Sequence, residues 1–325
     1  MPNQLSKLYT AVQPEYFFWL AMCGLFFLFF SGGAKPVLPA RGAEAAVLGA
    51  RVPLKENPYD PYENLTLEAK AVSVYDVKRK MSLFEKNAKA ILPLASITKI
   101  MTALTALSLV PETTDITVST DALKAEGDSK LKAGERWGLR NLLTLTLIES
   151  SNDGAVAVAS TIGGFLATST EDFDAHRRHF VAEMNREARA IGLTATSFES
   201  ESGLDLNTER AGAYSTAHET TLLLAYALEK SPSLFTETHW SELALQGDGG
   251  VKRSAKNTNT DTNKLPLLIA SKTGYTDLAG GNLVIAFDAG FGHPIIIAVL
   301  GSTMDGRFTD VEKLVWATLE YLAKQ

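Results

Sequence analysis

Ala69-Lys70-Ala71-Val72-Ser73-Val74-Tyr75-Asp76 is rich in β-branched and aromatic residues and reads as a strand. Ser82-Leu83-Phe84-Glu85-Lys86, across a turn at Val77–Lys80, reads as its hairpin partner. Three further strand candidates come only near the other end, at Leu267–Lys272, Asn282–Asp288 and Pro294–Leu300, after a Gly- and Asn-rich stretch from Gly247 to Asn263. The middle is helical. Ile97, Ile100, Met101 and Leu104 recur at helical spacing downstream of Pro93 and predict a helix from about Ser96. Leu139–Ile148 predicts a second helix and Ala155–Thr161 a third, beyond a polar break at Ser150–Asp153. Phe173–Ile191 predicts a fourth, with Phe180, Met184 and Ile191 on one side. Thr309–Ala323 predicts a closing amphipathic helix with Val311, Leu314, Val315, Leu319 and Leu322 on its buried side. Strands at both ends of a helical middle imply an α+β fold, in which the first hairpin returns to pair with the last strands in one antiparallel sheet flanked by helices.

Outward from this core, the 325-residue chain is 46% hydrophobic, enough to bury a substantial interior. Its net charge of -6 and the lack of any Lys/Arg block argue against a nucleic-acid surface, which needs clustered cations. The single cysteine, Cys23, can form no internal disulfide. Phe17–Phe30 is almost wholly apolar, and Tyr16–Ala34 approaches the ~20 residues a helix needs to cross a bilayer. Residues 1–34 are therefore expected to be a membrane anchor or signal segment, with Lys7 on one flank and Lys35 and Arg41 on the other. Met22 before Cys23 argues against a lipoprotein signal. Residues 35–65 hold Pro36, Pro39, Pro53, Pro58 and Pro61 and read as a semi-extended spacer. Residues 66–325 are expected to form the folded domain, held at the cell membrane on its extracytoplasmic side.

The chemistry lies in three short motifs. Ser96 and Lys99, three apart, project from one helical face, where a lysine amine can take the serine proton. That requires an amine neutral near pH 7, through desolvation or a second cation, for which Lys272 is the candidate. Ser150 and Asn152 sit in the break between two apolar helices, where short polar side chains can point into a cleft; helix capping accounts for them as well. Lys272-Thr273-Gly274 ends a predicted strand, where a lysine and a hydroxyl suit a carboxylate and glycine permits close approach. Each triplet alone is commonplace. In this order they form an active-serine acyl-transfer site that needs no histidine, metal or cofactor. His176 and His179, three apart without a third ligand, read as a solvated helix face.

Leu94-Ala95-Ser96-Ile97-Thr98-Lys99-Ile100-Met101-Thr102-Ala103-Leu104 resembles the nucleophile segment of the D-alanyl-D-alanine carboxypeptidases of low-molecular-mass penicillin-binding type, relatives of the serine β-lactamases. Lys132-Ala133-Gly134-Glu135, Ser150-Ser151-Asn152-Asp153, Gly203-Leu204-Asp205, Thr262-Asn263-Lys264-Leu265 and Lys272-Thr273-Gly274-Tyr275-Thr276, with Ala279-Gly280 and Asn282-Leu283-Val284, match in order. The resemblance implies a β-lactamase/transpeptidase-like fold with a helical subdomain. It also implies a serine D,D-carboxypeptidase acting on peptidoglycan stem peptides, with β-lactams as covalent inhibitors; a D,D-endopeptidase or a serine β-lactamase is the alternative. It makes Ser96 the acylated nucleophile and Lys99 its base, has Ser150 relay a proton to the leaving amine, and has Asn152 hold the substrate amide and Lys99. Lys272 and Thr273 would bind the terminal carboxylate within the substrate-binding run Lys272, Thr273, Gly274, Tyr275 and Thr276, and the N–H groups of Ser96 and Tyr275 would form the oxyanion hole. Ser151 and Glu149 stand where relatives commonly have glycine and glutamine. Glu201–Asn207 only faintly resembles the deacylating loop of class A β-lactamases, its pattern broken by Asp205. The family's C-terminal β-rich domain is expected to be absent, with anchoring moved to the N-terminus.

Overall fold

A computed structural model describes residues 60–325 apart from positions 128, 129 and 169. The expected anchor at 1–34, and the spacer up to position 59, lie outside the described residues. Among the described residues, no helix is long and apolar enough to cross a membrane.

In chain order the elements are β1 (Ala71–Asp76), β2 (Met81–Lys86), β3 (Leu92–Pro93), a 3-10 turn (Ala95–Thr98) running into α1 (Lys99–Leu109), β4 (Asp115–Thr117) and β5 (Arg136–Gly138). Next come α2 (Leu139–Ile148), α3 (Asn152–Leu166), α4 (Phe173–Ala190), β6 (Ser197–Phe198), β7 (Ala213–Ser215), α5 (Ala217–Lys230) and α6 (Pro232–Thr236). The chain closes with β8 (Glu242–Gln246), β9 (Lys252–Lys256), β10 (Leu268–Thr276), β11 (Gly280–Asp288), β12 (Pro294–Ser302) and α7 (Gly306–Ala323).

The main sheet is antiparallel in the order β10-β11-β12-β1-β2, so the first hairpin returns to the last strand as the sequence predicts. Ala71 pairs with Leu300 and Asp76 with Ile295. Side chains alternate across a strand, and β11 uses both faces. Leu283, Ile285 and Phe287 pack with Val311, Leu314 and Val315 of α7, whereas Val284 and Ala286 join Leu94, Ile97 and Ile100 on the helical side. Burial on both faces explains why β11 and β12 read as nearly unbroken apolar runs. Each fully buried large apolar side chain contributes about 1.5–3 kcal/mol, so this sheet makes a firm floor for whatever is mounted at its β10 edge.

Several boundaries differ from expectation, each for a local reason. The helix predicted from Ser96 starts at Lys99, because Ala95 takes a left-handed φ of 49° and the chain first makes a 3-10 turn. Ser150–Asp153 is less a break than a helix start: Ser151 Oγ accepts from Gly154 N–H at 2.9 Å and caps α3, which begins at Asn152. Strand β10 runs past Lys272 to Thr276, its last residues pairing with Leu283 to Gly280. The third helix and the last strand are also longer than predicted, ending at Leu166 and Ser302. Helix α5 and the hairpin β8–β9 are not anticipated, and β9 lies inside the Gly- and Asn-rich stretch.

Candidate active site

Ser96 sits in the 3-10 turn and Lys99 opens α1, so the two meet where the turn tightens into the helix. Lys99 is fully buried, and its Nζ donates to three oxygens at 2.7 Å each: Ser96 Oγ, Asn152 Oδ1 and the Ser202 carbonyl. An ammonium has three donors, and all are used. Burial pulls the Lys99 pKa down to about 7, against the opposing pull of the Glu201 carboxylate. Desolvation is thus the largest cause, and it acts in the direction that a base for Ser96 requires.

Lys272 faces this group from β10. Its Nζ donates to Ser150 Oγ and to the Thr273 carbonyl, both at 2.9 Å. Burial first, then the charges of Lys99 and Arg307, hold its amine well below the usual lysine range. Two serine hydroxyls thus each receive a hydrogen bond from a buried lysine. The segment Ser150–Asn152 joins the two pairs, since Ser150 touches Lys272 and Asn152 touches Lys99. Ser150 takes a left-handed φ of 61°, unusual for a residue with a side chain. Asn152 Nδ2 donates to the Glu126 carbonyl at 2.6 Å, which orients the amide with its oxygen toward Lys99.

The strand is pressed against the serine turn. A Cβ at Gly274 would lie 2.8 Å from the Leu94 carbonyl and 3.1 Å from Ser96 N, so only glycine permits this approach. Thr273 Oγ1 is hydrogen-bonded to Thr258 Oγ1 at 2.6 Å, and Arg307 Nη1 donates to the Gly274 carbonyl at 2.8 Å. Tyr275 is 45% exposed beside them. The Thr276 hydroxyl is turned to Asp205 Oδ1 at 2.9 Å, where it ties the strand end to the Gly203-Leu204-Asp205 loop. A cavity of about 380 Å³ opens beside Ser150 and Asn152, lined also by Glu149, Lys130, Ser254 and Lys256. A larger cavity, about 590 Å³, is apolar and lies elsewhere, among Tyr75, Leu222, Tyr226, Ile269 and Ile296. It holds none of the paired serines and lysines, so those pairs mark the candidate site and cavity size does not. His179 Nε2 lies 3.0 Å from Glu171 Oε2, and among the described residues no three His, Cys, Asp or Glu groups gather as a metal site.

The three motifs are brought together, and what they leave out is mostly backbone and support. Ser202 acts through its carbonyl, Thr258 and Arg307 brace β10, and Glu201 stands behind Lys99. The quoted Gly203-Leu204-Asp205 match was the available signal: Gly203 has φ 80°, and a Cβ there would overlap the Ala95 carbonyl beside Ser96.

Known proteins resemble this chain in sequence and in fold. D-alanyl-D-alanine carboxypeptidase DacF of Bacillus subtilis is 30% identical over 258 residues, which cover 77% of this chain and 62% of the relative. A D-alanyl-D-alanine endopeptidase of Pseudomonas aeruginosa is 28% identical over 208 residues, 62% of each chain. The chain spans about six-tenths of the length of these curated relatives. Penicillin-binding protein D2 of Listeria monocytogenes, solved in an ampicillin-bound form, superimposes with a TM-score of 0.66 at 28% identity, covering 78% of this chain and 98% of that one. The mixed fold, with its antiparallel sheet between helices, is thus that of the penicillin-binding proteins. The profile of D-alanyl-D-alanine carboxypeptidases matches residues 57–304, a span that takes in every site residue from Ser96 to Thr276, and the chain belongs to that family.

Proposed function

We propose that the protein is a serine D,D-carboxypeptidase that removes the terminal D-alanine of peptidoglycan stem peptides through an acyl-enzyme on Ser96. The observation that carries this reading is the 2.7 Å contact between Ser96 Oγ and a fully buried lysine with a pKa of about 7. In the neutral state the same geometry serves with the first bond reversed. Ser96 O–H donates to the Nζ lone pair, while the two remaining N–H groups keep Asn152 Oδ1 and the Ser202 carbonyl.

In acylation, Ser96 Oγ bonds to the scissile carbonyl carbon as its proton passes to Lys99. The carbonyl electron pair moves onto oxygen, facing the N–H groups of Ser96 and Tyr275, whose help is greatest when that charge develops. Collapse then breaks the C–N bond, and the proton held on Lys99 passes to the departing amine by way of Ser150, whose hydroxyl is bonded to Lys272. Lys272 and Thr273 hold the substrate's terminal carboxylate. Burial disfavours the Lys272 ammonium in the free protein, and an arriving carboxylate favours it, so the site charges as it fills. Water then bonds to the acyl carbon as one of its protons passes to Lys99, the bond from that carbon to Ser96 Oγ breaks, and Lys99 gives the proton to Ser96.

Full-length protein incubated with a stem pentapeptide is expected to release D-alanine; no release over a no-enzyme control would refute the reading. The Pseudomonas relative named as an endopeptidase motivates a second arm with cross-linked muropeptide dimers. Loss of dimers faster than release of D-alanine would replace carboxypeptidase by endopeptidase. The same nucleophile should be acylated by β-lactams, a reading supported by the ampicillin-bound relative. The apolar Phe17–Phe30 run supports a protein held at the cell membrane with its catalytic domain outside the cytoplasm. Extraction of the protein by carbonate wash alone would count against that placement.

A further inference from the structure

The loop after β6 supplies the backbone acceptor of Lys99, and it is fixed from behind by an ion pair whose carboxylate is buried. Glu201 is 1% exposed, and its Oε1 accepts from Arg177 Nε at 2.8 Å. The Glu201 carbonyl accepts from Thr102 Oγ1 at 2.6 Å, and the carbonyl of the next residue, Ser202, accepts from Lys99 Nζ at 2.7 Å. Arg177 reaches in from α4, where it also meets Asp174 at 3.3 Å. No step of the reaction proposed above uses Glu201 or Arg177.

We propose that Glu201, held by Arg177, is a positioning residue that aims the Ser202 carbonyl at Lys99 and sets how readily Lys99 gives up its proton. The inference rests on Lys99 being the base for Ser96. Other charges surround the amine. Lys272 faces it from β10 with Arg307 of α7 behind, Asp153 is buried next to Asn152 at the start of α3, and Asp205 is turned away to Thr276 and the Leu278 N–H. Burial favours the neutral amine, and Glu201 opposes it. A base must be neutral to begin the step and basic enough to finish it, so pKa values near the working pH serve best. Burial alone would leave Lys99 a weaker base. A carboxylate in direct contact would lock it as ammonium. Glu201, one residue removed from the Ser202 contact and partly neutralised by Arg177, provides the intermediate pull.

The test reads Lys99 itself. Full-length protein labelled with ¹³C at lysine Cε, with the Lys99 signal identified by its loss in Lys99→Arg, is titrated by NMR alongside Glu201→Gln and Arg177→Gln. Glu201→Gln is expected to move the Lys99 midpoint down by about one pH unit. Arg177→Gln leaves the carboxylate uncompensated and is expected to move it up. Acylation of Ser96 by a penicillin, followed one unit below the parent midpoint, should then speed up about fivefold in Glu201→Gln and slow in Arg177→Gln. Opposite displacements support the proposal; coincident midpoints, or displacements in one direction, overturn it. A purely structural role would lower the plateau rates without moving the midpoints apart. Should Glu201→Gln not fold, Arg177→Gln carries the test, its side chain being 31% exposed. The NMR midpoints need no turnover, so failure of the wild type to release D-alanine sinks the carboxypeptidase reading without deciding this one.

Discussion

Ser96→Ala is expected to yield a folded protein that forms no covalent adduct with fluorescent penicillin and releases D-alanine at less than about a thousandth of the parent rate. The change removes one oxygen, the atom that would form the ester, and leaves in place the backbone donors, Lys272 and the β10 edge. What activity remains would come from binding and charge stabilisation alone. Little stability should be lost. Ser96 is only partly buried, and Lys99 keeps Asn152 Oδ1 and the Ser202 carbonyl as acceptors, so the cost is about 1 kcal/mol or less. Unfolding by heat or denaturant, run beside the labelling, separates chemistry from folding. An adduct that persisted in Ser96→Ala would remove Ser96 from the centre of the mechanism.

The paired serines and lysines of the candidate site were legible in the sequence because acyl transfer needs particular functional groups at particular separations. A separation of three positions from Ser96 to Lys99 is a local geometric requirement, met here by a 3-10 turn as readily as by the first turn of an α-helix. The sheet was legible because strand-like segments at the two ends have nowhere else to pair; the Ala71–Leu300 register was not read from the sequence. The third acceptor of Lys99 was not legible. It is a main-chain carbonyl, which any residue at position 202 could offer. Arg177 and Glu201 lie 24 positions apart in a helix and a loop, and no periodicity connects them. Helix α5 left a signal that passed unread: Thr216 and Glu219 have the spacing of a capping box, and Thr216 Oγ1 does accept from Glu219 N–H at 3.0 Å. The Glu219 carboxylate goes instead to Ala195 N and Thr196 Oγ1, binding the helix start to the chain before β6. Hairpin β8–β9 was hidden because its second strand, Lys252-Arg253-Ser254-Ala255-Lys256, buries only Ala255 and otherwise carries solvent-facing polar groups.

Lys99→Met should separate activity from stability in the opposite way to an ordinary core substitution. Methionine fills much the same buried volume without a base, and a positioned general base contributes about a hundred- to ten-thousandfold, so a loss of about a thousandfold in both D-alanine release and penicillin acylation is expected. The parent should show its signature in pH. With a pKa of about 7, the neutral amine becomes tenfold scarcer for each unit of acidification below that value, and kcat/KM should fall accordingly, levelling off above it. That limb should vanish in the variant. Stability follows a different argument. Lys99 binds its proton with a pKa of about 7 when folded and 10.5 when exposed, so between those values the unfolded chain holds more protons and stability rises with pH. Below about pH 7 both states are protonated, the slope disappears, and the folded protein bears the whole penalty of burying the charge, roughly 5 kcal/mol. Methionine removes that penalty but leaves Asn152 Oδ1 and the Ser202 carbonyl without their donor, at about 1–3 kcal/mol each. The two effects nearly cancel, and the variant's unfolding free energy at pH 7 should lie within about 3 kcal/mol of the parent's. A flat parent profile between pH 5.5 and 8, or a variant that keeps the limb, would remove Lys99 from the role of base. Destabilisation well beyond that range would mean instead that its three hydrogen bonds outweigh the cost of burying its charge.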